Sequence, residues 1–295
     1  MKKIVGFLFL LASLTSGVSA AQLIAFERKD AIWIANLDGT GEKKIADGIF
    51  PAMSPDGTQI AFTTVEKSGT TYVRHIAVAE IATGKTTVFK DVPSDNAYYP
   101  QWSPDGKRIL FTARQEEIWS LATIAPNGTD FRFLKKGAKN QATLYSPCWA
   151  RDQGSIFCQD MTNIYQIGLD GAVLAQWKIE EMIPNGGMSG DGRIAVSPDG
   201  KFLLLSIDMG EETQRQDWDG PPPALWSVEI ATQKAVRVTP QTLFGWDGCW
   251  VDNENVLLLS QAEGEKSASL YRMSIGGKDL KRLMRDARMP SVSAH

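Results

Sequence analysis

A ten-residue segment recurs along this chain at an almost constant spacing, and that recurrence limits the folds open to it. The segment at residues 53–62, which contains Ser-Pro-Asp-Gly, returns at 102–111 and at 196–205, and degenerate copies begin at Trp149 and Trp250. The leading positions 53, 102, 149, 196 and 250 are therefore 49, 47, 47 and 54 residues apart. A repeat of about 40–50 residues is typical of propeller blades made of four short strands.

Each repeat predicts the same order of strands and turns. Ser-Pro-Asp-Gly is a turn sequence, because proline presets φ and glycine accepts a positive φ. Apolar, β-rich segments such as 60–64 and 76–81 follow it, and a second tight turn at Thr83-Gly84 leads to a short strand at 86–90. Residues 188–192 also resemble the first turn, but the regular spacing favours the copy at Ser197.

The two ends of the chain look like two halves of one repeat. Residues 23–26 match a second strand with no first strand before it, and residues 289–293 resemble a first strand with nothing after it. Pairing them would leave no free sheet edge at the junction. We therefore predict an all-β, six-bladed β-propeller with four-stranded blades, the last blade being closed by the N-terminal strands plus the C-terminal strand. An all-β sandwich, the alternative, explains neither the period nor the matched ends.

The first twenty residues have the pattern of a secretory signal peptide. Lys2 and Lys3 precede an apolar run at 4–14, and Val18-Ser19-Ala20 supplies the small residues of a cleavage site before Ala21. The alternative, a membrane anchor, is too short, because eleven residues cover about half of a bilayer core. We predict a signal peptide at 1–20, a propeller at 21–295, a bacterial periplasmic location and no membrane span in the mature chain.

The repeat resembles one known family. The Trp-Ser-Pro-Asp-Gly-Lys-x-Ile-x-Phe sequence at 102–111, together with Asn-Leu-Asp-Gly-Thr-Gly at 36–41, is similar to the WD40-like (PD40) repeats of TolB-like six-bladed propellers. The resemblance covers nearly all of residues 22–295. It implies a platform for protein–protein interaction. The family's founding member carries a separate α/β domain before its propeller, and we expect none here.

Charge and histidine content limit the possible functions. The chain has 31 Lys and Arg residues against 34 Asp and Glu, a net charge of −3, and no long basic run. We therefore expect no nucleic-acid partner, because affinity for nucleic acid depends on neutralising phosphates. The two histidines leave little material for a metal centre or a Ser-His-Asp triad. We expect no metal site and no cofactor, with Ca²⁺ held by loop carboxylates as the open alternative.

Loop lengths indicate which face binds. In a four-strand meander the first-to-second and third-to-fourth turns share one face, which we call the turn face; the longer connections share the other, which we call the loop face. Recognition residues usually lie in loops of unequal length. The candidate partner-binding residues on the loop face are Asp95, Asn96, Tyr98, Tyr99, Tyr145, Trp218, Asp219, Phe244, Trp246 and Asp247. The alternative is that Tyr98, Tyr99, Tyr145 and Trp246 only fill the centre of the ring.

Enzyme chemistry finds little support in the sequence. A triad would need His75 or His295, and no Gly-x-Ser-x-Gly elbow accompanies a serine. The chain is similar to the propeller half of prolyl-oligopeptidase-type enzymes and to oligogalacturonate lyases, but the hydrolase domain and the histidine-rich metal site that those resemblances imply are not in the sequence. Acid pairs such as Glu180/Glu181 and Asp217/Asp219 are typical of exposed loops. We therefore predict no catalytic residues and no enzyme activity.

The three cysteines permit one disulfide. Cys148 and Cys158 lie at equal distances from Gln153, the centre of the intervening turn, and a symmetric hairpin would place them opposite each other. Cys249 occupies the same repeat position as Cys148 and is expected to stay a free thiol. Three reduced core cysteines are the alternative.

Two functions remain open. The first is a non-catalytic, monomeric periplasmic binding protein that serves as an interaction platform for another envelope or periplasmic protein, in envelope maintenance or transport. The second is a carbohydrate- or peptide-binding or -processing propeller with an axial site. The second function predicts a deep axial pocket lined by acids and aromatic rings, and a centre sealed by Tyr98, Tyr145 and Trp246 would count against it.

Overall fold

The computed structural model describes residues 22–139, 141–210 and 215–293, so the predicted signal peptide lies outside the described residues. These residues form 25 strands and one four-residue helix. The first eleven strands are β1 (Leu23–Arg28), β2 (Ala31–Asn36), β3 (Lys43–Asp47), β4 (Ile49–Met53), β5 (Gln59–Ser68), β6 (Thr71–Glu80), β7 (Thr86–Val88), β8 (Asn96–Trp102), β9 (Ile109–Gln115), β10 (Ile118–Ile124) and β11 (Arg132–Lys135).

The later elements continue the same alternation of short strands and turns. They are β12 (Tyr145–Trp149), β13 (Ser155–Gln159), β14 (Asn163–Gly168), β15 (Val173–Lys178), α1 (Ile179–Met182), β16 (Gly186–Gly187), β17 (Ile194–Val196), β18 (Phe202–Met209), β19 (Pro223–Glu229), β20 (Ala235–Arg237), β21 (Gly245–Trp250), β22 (Asn255–Ser260), β23 (Ser269–Ser274), β24 (Lys281–Arg285) and β25 (Arg288–Val292). Within the described residues, no helix is long and apolar enough to cross a membrane.

The prediction of six separate four-stranded blades is wrong. Four sheets stand separately with the size of a blade: β25-β1-β2-β3, β12–β15, β16–β20 and β21–β24, and the third of these has five strands. The other eight strands, β4–β11, form one continuous sheet. Two repeats merge into this sheet because β6 extends beyond its partner β7. β7 pairs with residues 77–79 of β6, and Arg74 of β6 forms a parallel bridge with Asn96 of β8.

The chain ends meet as their sequences predict. β25 lies beside β1 with Val292 opposite Ile24, so the C-terminal strand and the N-terminal strands complete one sheet. Buried hydrophobic clusters lie between neighbouring sheets. Phe26 packs in the cluster between this sheet and β21–β24, and Phe62 packs in the cluster on its other side.

The Ser-Pro-Asp-Gly turns share one geometry. The hydroxyls of Ser54, Ser103 and Ser197 each donate a hydrogen bond to the aspartate two residues later, at 2.6, 2.7 and 2.7 Å. The turn glycines adopt φ between 69° and 75°, a region that other residues rarely enter. The turn is therefore placed at Ser197, and residues 188–192 belong to a loop between β16 and β17.

The leading tryptophans join neighbouring repeats. The indole Nε1 of Trp102 donates to the carbonyl of Ala52 at 2.9 Å, and Trp149 bonds in the same way to Gln101 at 3.2 Å. Trp250 donates to Ala195 at 3.2 Å. Each acceptor lies on the first strand of the preceding repeat, so the indole N–H groups of these rings connect neighbouring repeats and are not free to bind a ligand.

The predicted disulfide does not form. Cys148, Cys158 and Cys249 are all free and buried thiols. A register shift in β12 places Cys148 opposite Phe157, and Cys158 lies opposite Tyr165 on the next strand. The thiols of Cys148 and Cys158 consequently face different hydrophobic clusters. Burial raises the pKa of all three thiols, so they stay protonated at neutral pH.

Candidate functional site

The register shift that displaces Cys148 recurs at the start of the first strand in other repeats. Shifts occur between 49 and 52, between 98 and 101, between 246 and 249, and between 288 and 291. At each of these bulges one residue other than glycine adopts a left-handed backbone with φ of 49–55°: Phe50, Tyr99, Ser146, Asp247 and Met289. Bulges redirect side chains, and strained residues of this kind cluster at functional sites.

A cavity of about 700 Å³ opens beside these bulges on the loop face. Three sheets supply its walls: β25-β1-β2-β3, β16–β20 and β21–β24. Six of its lining residues are acidic and three are basic. The acids are Glu27, Asp30, Asp191, Asp208, Asp247 and Asp286, and the bases are Lys29, Lys266 and Arg288. The described wall therefore carries an excess of negative charge.

Asp247 is the acidic member of the bulge residues. Its residue surface is only 6% exposed, and its backbone N–H donates to the Ser206 hydroxyl at 3.0 Å. Burial raises the pKa of its carboxyl to about 6, against the opposing charge of Arg193 and with further increase from Asp191. Arg193 lies at the centre of the ring, where its Nη1 donates to the Pro290 carbonyl at 3.0 Å.

Two further carboxyls of the wall have a raised pKa. Glu27 is 8% exposed, its pKa is raised by burial, and it accepts a 3.3 Å hydrogen bond from the Phe50 N–H. The pKa of Asp208 is raised by burial and then by the charge of Asp191. Perturbed carboxyls that face one cavity are typical of functional sites.

An aromatic cluster borders the same cavity. The Trp218 ring lies 5.4 Å from the Phe244 ring and 5.3 Å from the Trp246 ring, measured between centroids. Phe244 is buried and carries the Arg215 guanidinium 4.6 Å above its ring, whereas Trp218 and Trp246 are half-buried and line the cavity. These two indoles provide apolar contact area beside the carboxylates.

The other predicted site residues lie elsewhere. Asn96 accepts a 3.2 Å hydrogen bond from Arg74, and Tyr98 packs against Trp119 at 5.3 Å, so both stabilise the eight-stranded sheet. Asp95 and Asp219 are exposed and do not line the cavity. Two more tyrosines lie close to the cavity residues without lining it: Tyr99, whose pKa is raised by burial and by the charges of Asp191 and Asp247, and Tyr145, which lies against Gly190.

Sequence reasoning missed several wall residues. Glu27 occupies the position of Thr63, Thr112, Gln159, Ser206 and Ser260 in the other second strands, so a buried polar position recurs at the end of an apolar run. That recurrence could have identified Glu27 from the sequence. No comparable pattern marks Asp191, because the segment around it resembles a turn.

A second, smaller cavity of about 320 Å³ lies at the turn-face end of the axis. The three leading tryptophans line it together with Arg151 and Arg193, and no described carboxylate does. Arg151 donates from Nε to the Ser197 carbonyl at 3.1 Å and from Nη2 to the Val196 carbonyl at 3.4 Å. The two ends of the axis therefore differ in charge.

Catalytic and metal constellations are not evident among the described residues. His75 lies within β6, where its carbonyl accepts a hydrogen bond from Thr64. Glu180 and Glu181 are exposed in α1. In the described ranges, no three His, Cys, Asp or Glu side chains are grouped to hold a metal ion.

Comparison with known proteins supports the class of fold. No protein-family model matches the chain. The structure superposes on TolB from Acinetobacter baumannii with a TM-score of 0.67 and 17% identity, covering 95% of this chain and 68% of that one. A TolB-like propeller fold is thus confirmed, while the finer assignment to PD40 repeats has no matching family model.

Curated relatives by sequence are named peptidases. The chain is 32% identical over 117 residues to dipeptidyl-peptidase 5 of Porphyromonas gingivalis, which is 38% of this chain and 17% of that protein. It is 30% identical over 172 residues to the uncharacterized peptidase YuxL of Bacillus subtilis, 58% of this chain and 23% of that protein. The chain therefore spans less than a quarter of either relative.

A solved hydrolase shares the fold as well. The structure superposes on a puromycin hydrolase mutant complexed with PGG, with a TM-score of 0.56 and 13% identity, covering 86% of this chain and 42% of that one. At this identity the likeness concerns the fold alone. The sequence relatives are named peptidases, and this overturns our prediction that the protein is not an enzyme.

Proposed function

We propose that this protein acts in peptide hydrolysis and that its propeller binds the peptide in the cavity on the loop face. The observation that carries the proposal is the cavity of about 700 Å³, with Trp218, Trp246 and a set of carboxylates in its wall. Pockets of about 300–1,000 Å³ with apolar rings and a few polar groups are the usual sites of small ligands. A short extended peptide has the size and the mixed polarity that such a wall accommodates.

The sequence relatives favour a peptide over a carbohydrate. Their names are those of peptidases, although each match covers only a small part of the relative. The likeness to TolB supports the fold alone, so it adds nothing in favour of a protein-interaction platform. The proposal invokes no cofactor, and its periplasmic location rests on the sequence of residues 1–20.

The proposal is tested by peptide binding and peptide cleavage with the full chain. Binding of a panel of tri- to hexapeptides is measured by calorimetry, and cleavage of the same panel is followed by mass spectrometry. We expect Trp218→Ala to weaken binding at least about tenfold, because it removes an indole from the cavity wall. Tyr72→Ala is the matched control, since Tyr72 is 53% exposed and lies outside the wall.

Two results would contradict the proposal. One is that no peptide of the panel binds or is cleaved. The other is that a neutral oligosaccharide binds in the cavity and competes with every peptide. Equal loss of binding in Trp218→Ala and Tyr72→Ala would show that the ligand lies elsewhere.

A further inference from the structure

Asp247 is a buried carboxylate without a hydrogen-bond donor. It is more than nine-tenths buried and forms part of the cavity wall. Throughout 22–139, 141–210 and 215–293, no group donates a hydrogen bond to its carboxylate oxygens; the Ser206 contact involves its backbone N–H. Its carboxylate oxygens therefore meet only the cavity, and a mostly buried anion with so little solvation is costly. A ligand group of opposite charge would compensate for that cost.

The charged groups around Asp247 do not neutralise the site. Arg193 and Arg288 attract its charge, whereas Asp191 and Glu27 repel it. Arg193 is directed partly elsewhere, since it donates to the Pro290 carbonyl. Among the described residues, Glu27 has one long hydrogen bond, from the Phe50 N–H, and it too is more than nine-tenths buried in the wall. Two poorly partnered carboxylates thus face one open volume.

The arrangement fits an organic cation better than a bare metal ion. Ca²⁺ takes six to eight oxygen ligands at about 2.3–2.6 Å, and the described carboxylates do not form even a group of three around one point. An ammonium or guanidinium group needs fewer partners and brings its own N–H donors. Trp218 and Trp246 lie in the same wall and can contact the apolar part of such a ligand or the face of its cation.

We infer that the cavity recognises the positively charged group of a peptide, an ammonium or a guanidinium, through the carboxylate of Asp247. This inference rests on the proposed function and specifies its substrate class. Two parts of a peptide carry such a group: its free N-terminus and a lysine or arginine side chain. Asp247 is then a specificity-determining residue, and the charge it leaves uncompensated in the free protein is paired only in the complex.

The test compares three peptides of equal length on the full chain at pH 7.5. Ala-Phe-Ala-amide carries a free N-terminus, acetyl-Ala-Phe-Ala-amide is neutral, and acetyl-Ala-Lys-Ala-amide carries its charge on a side chain. We expect at least one cationic peptide to bind about tenfold or more tightly than the neutral one, and the stronger of the two identifies the source of the charge. Asp247→Asn should abolish the preference. Asp91→Asn, which changes an exposed carboxyl outside the wall, should keep it.

A pH titration of the wild-type protein provides a check that does not depend on the variant. The preference for the cationic peptide should fall as the pH drops below about 6, since Asp247 then becomes protonated in a setting that also includes Arg193, Arg288, Asp191 and Glu27. Equal binding of all three peptides would overturn the inference and leave peptide binding intact. Binding of none would overturn the proposed function together with it.

Discussion

The two ends of the central axis differ in how far their polar groups are hydrogen-bonded within the protein. At the turn face, polar groups are bonded within the protein: Ser103 to Asp105, Trp102 to Ala52, and Arg151 to two carbonyls. At the loop face, Asp247 is buried without a donor to its carboxylate among the described residues, and Glu27 has a single long hydrogen bond. The polar groups at the turn face stabilise the strands, whereas the two carboxylates at the loop face can contact a ligand in the cavity.

This difference separates stability from binding. Satisfied buried polar groups stabilise a fold, whereas unsatisfied ones destabilise it and persist where they have a function. Changes at the turn face should therefore reduce stability and leave binding unaltered. Removing the Asp247 charge from the cavity should instead raise stability and weaken the binding of a cationic peptide.

The largest effect on stability is expected from Asp247→Asn. The folded-state pKa of about 6 exceeds the usual value of 3.8, so between these two pH values the folded protein holds more protons than the unfolded chain. Stability therefore falls as the pH rises through this window. At pH 8 the substitution should raise the free energy of unfolding by up to about 3 kcal/mol, since one pKa unit corresponds to about 1.4 kcal/mol. Asparagine tolerates the left-handed backbone at this position.

Urea denaturation of both proteins at pH 4 and pH 8 checks this. The free energy of unfolding of Asp247→Asn should exceed that of the wild type at pH 8. The difference should be small at pH 4, where the wild-type carboxyl is protonated. A loss of stability at pH 8 would show that the Asp247 charge is compensated in the free protein, and the contrast between the two ends would fail.

A smaller effect of opposite sign is expected at the turn face. Ser103 is 2% exposed, and its hydroxyl donates to Asp105 and accepts a 2.9 Å hydrogen bond from the Arg108 N–H. Ser103→Ala should lower the free energy of unfolding by about 1–2 kcal/mol, because the substitution removes both bonds and leaves the partly buried Arg108 N–H without its acceptor. Denaturation and peptide calorimetry on the same variant provide the measurement, and weakened peptide binding would contradict the division between the two ends.

The smallest effect is expected from an exposed ion pair. Lys90 Nζ lies 3.0 Å from Glu66, and both side chains are at least half exposed. Lys90→Ala should change stability by less than about 0.5 kcal/mol, because exposed pairs contribute little in water. Peptide binding should stay at the wild-type value. A larger change in either quantity would mean that charge outside the cavity also matters.

Much of the fold was predictable because its signals are local and repeated. Two features follow from short segments: the Ser-Pro-Asp-Gly turns and the meeting of the chain ends. The count of separate blades did not follow, because the bridge between Arg74 and Asn96 depends on how far β6 extends past β7. The disulfide failed for a related reason, since a bulge in β12 shifts Cys148 away from Cys158.

The candidate site divides in the same way. Trp218, Trp246 and Asp247 were accessible to sequence reasoning because the sequence assigns them to the longer connections. In the structure Trp218 lies in the loop before β19, Trp246 and Asp247 lie in β21, and all three line a cavity on the loop face. Tyr98 and Asn96 share that sequence context but pack within the eight-stranded sheet. An aromatic or amide side chain has the same appearance in a sequence whether it binds a ligand or a neighbouring strand.

By itself, the amino-acid sequence determined the propeller class and the turn geometry, because each depends on residues close together in the chain. The tertiary structure alone decided which carboxylates share a cavity. Glu27 and Asp247 lie in two different sheets and Asp191 lies in a loop of a third, and they meet only when the ring closes. The raised pKa values of Glu27 and Asp247 result from that arrangement. Burial and proximity, rather than residue type, decide what a carboxylate can bind.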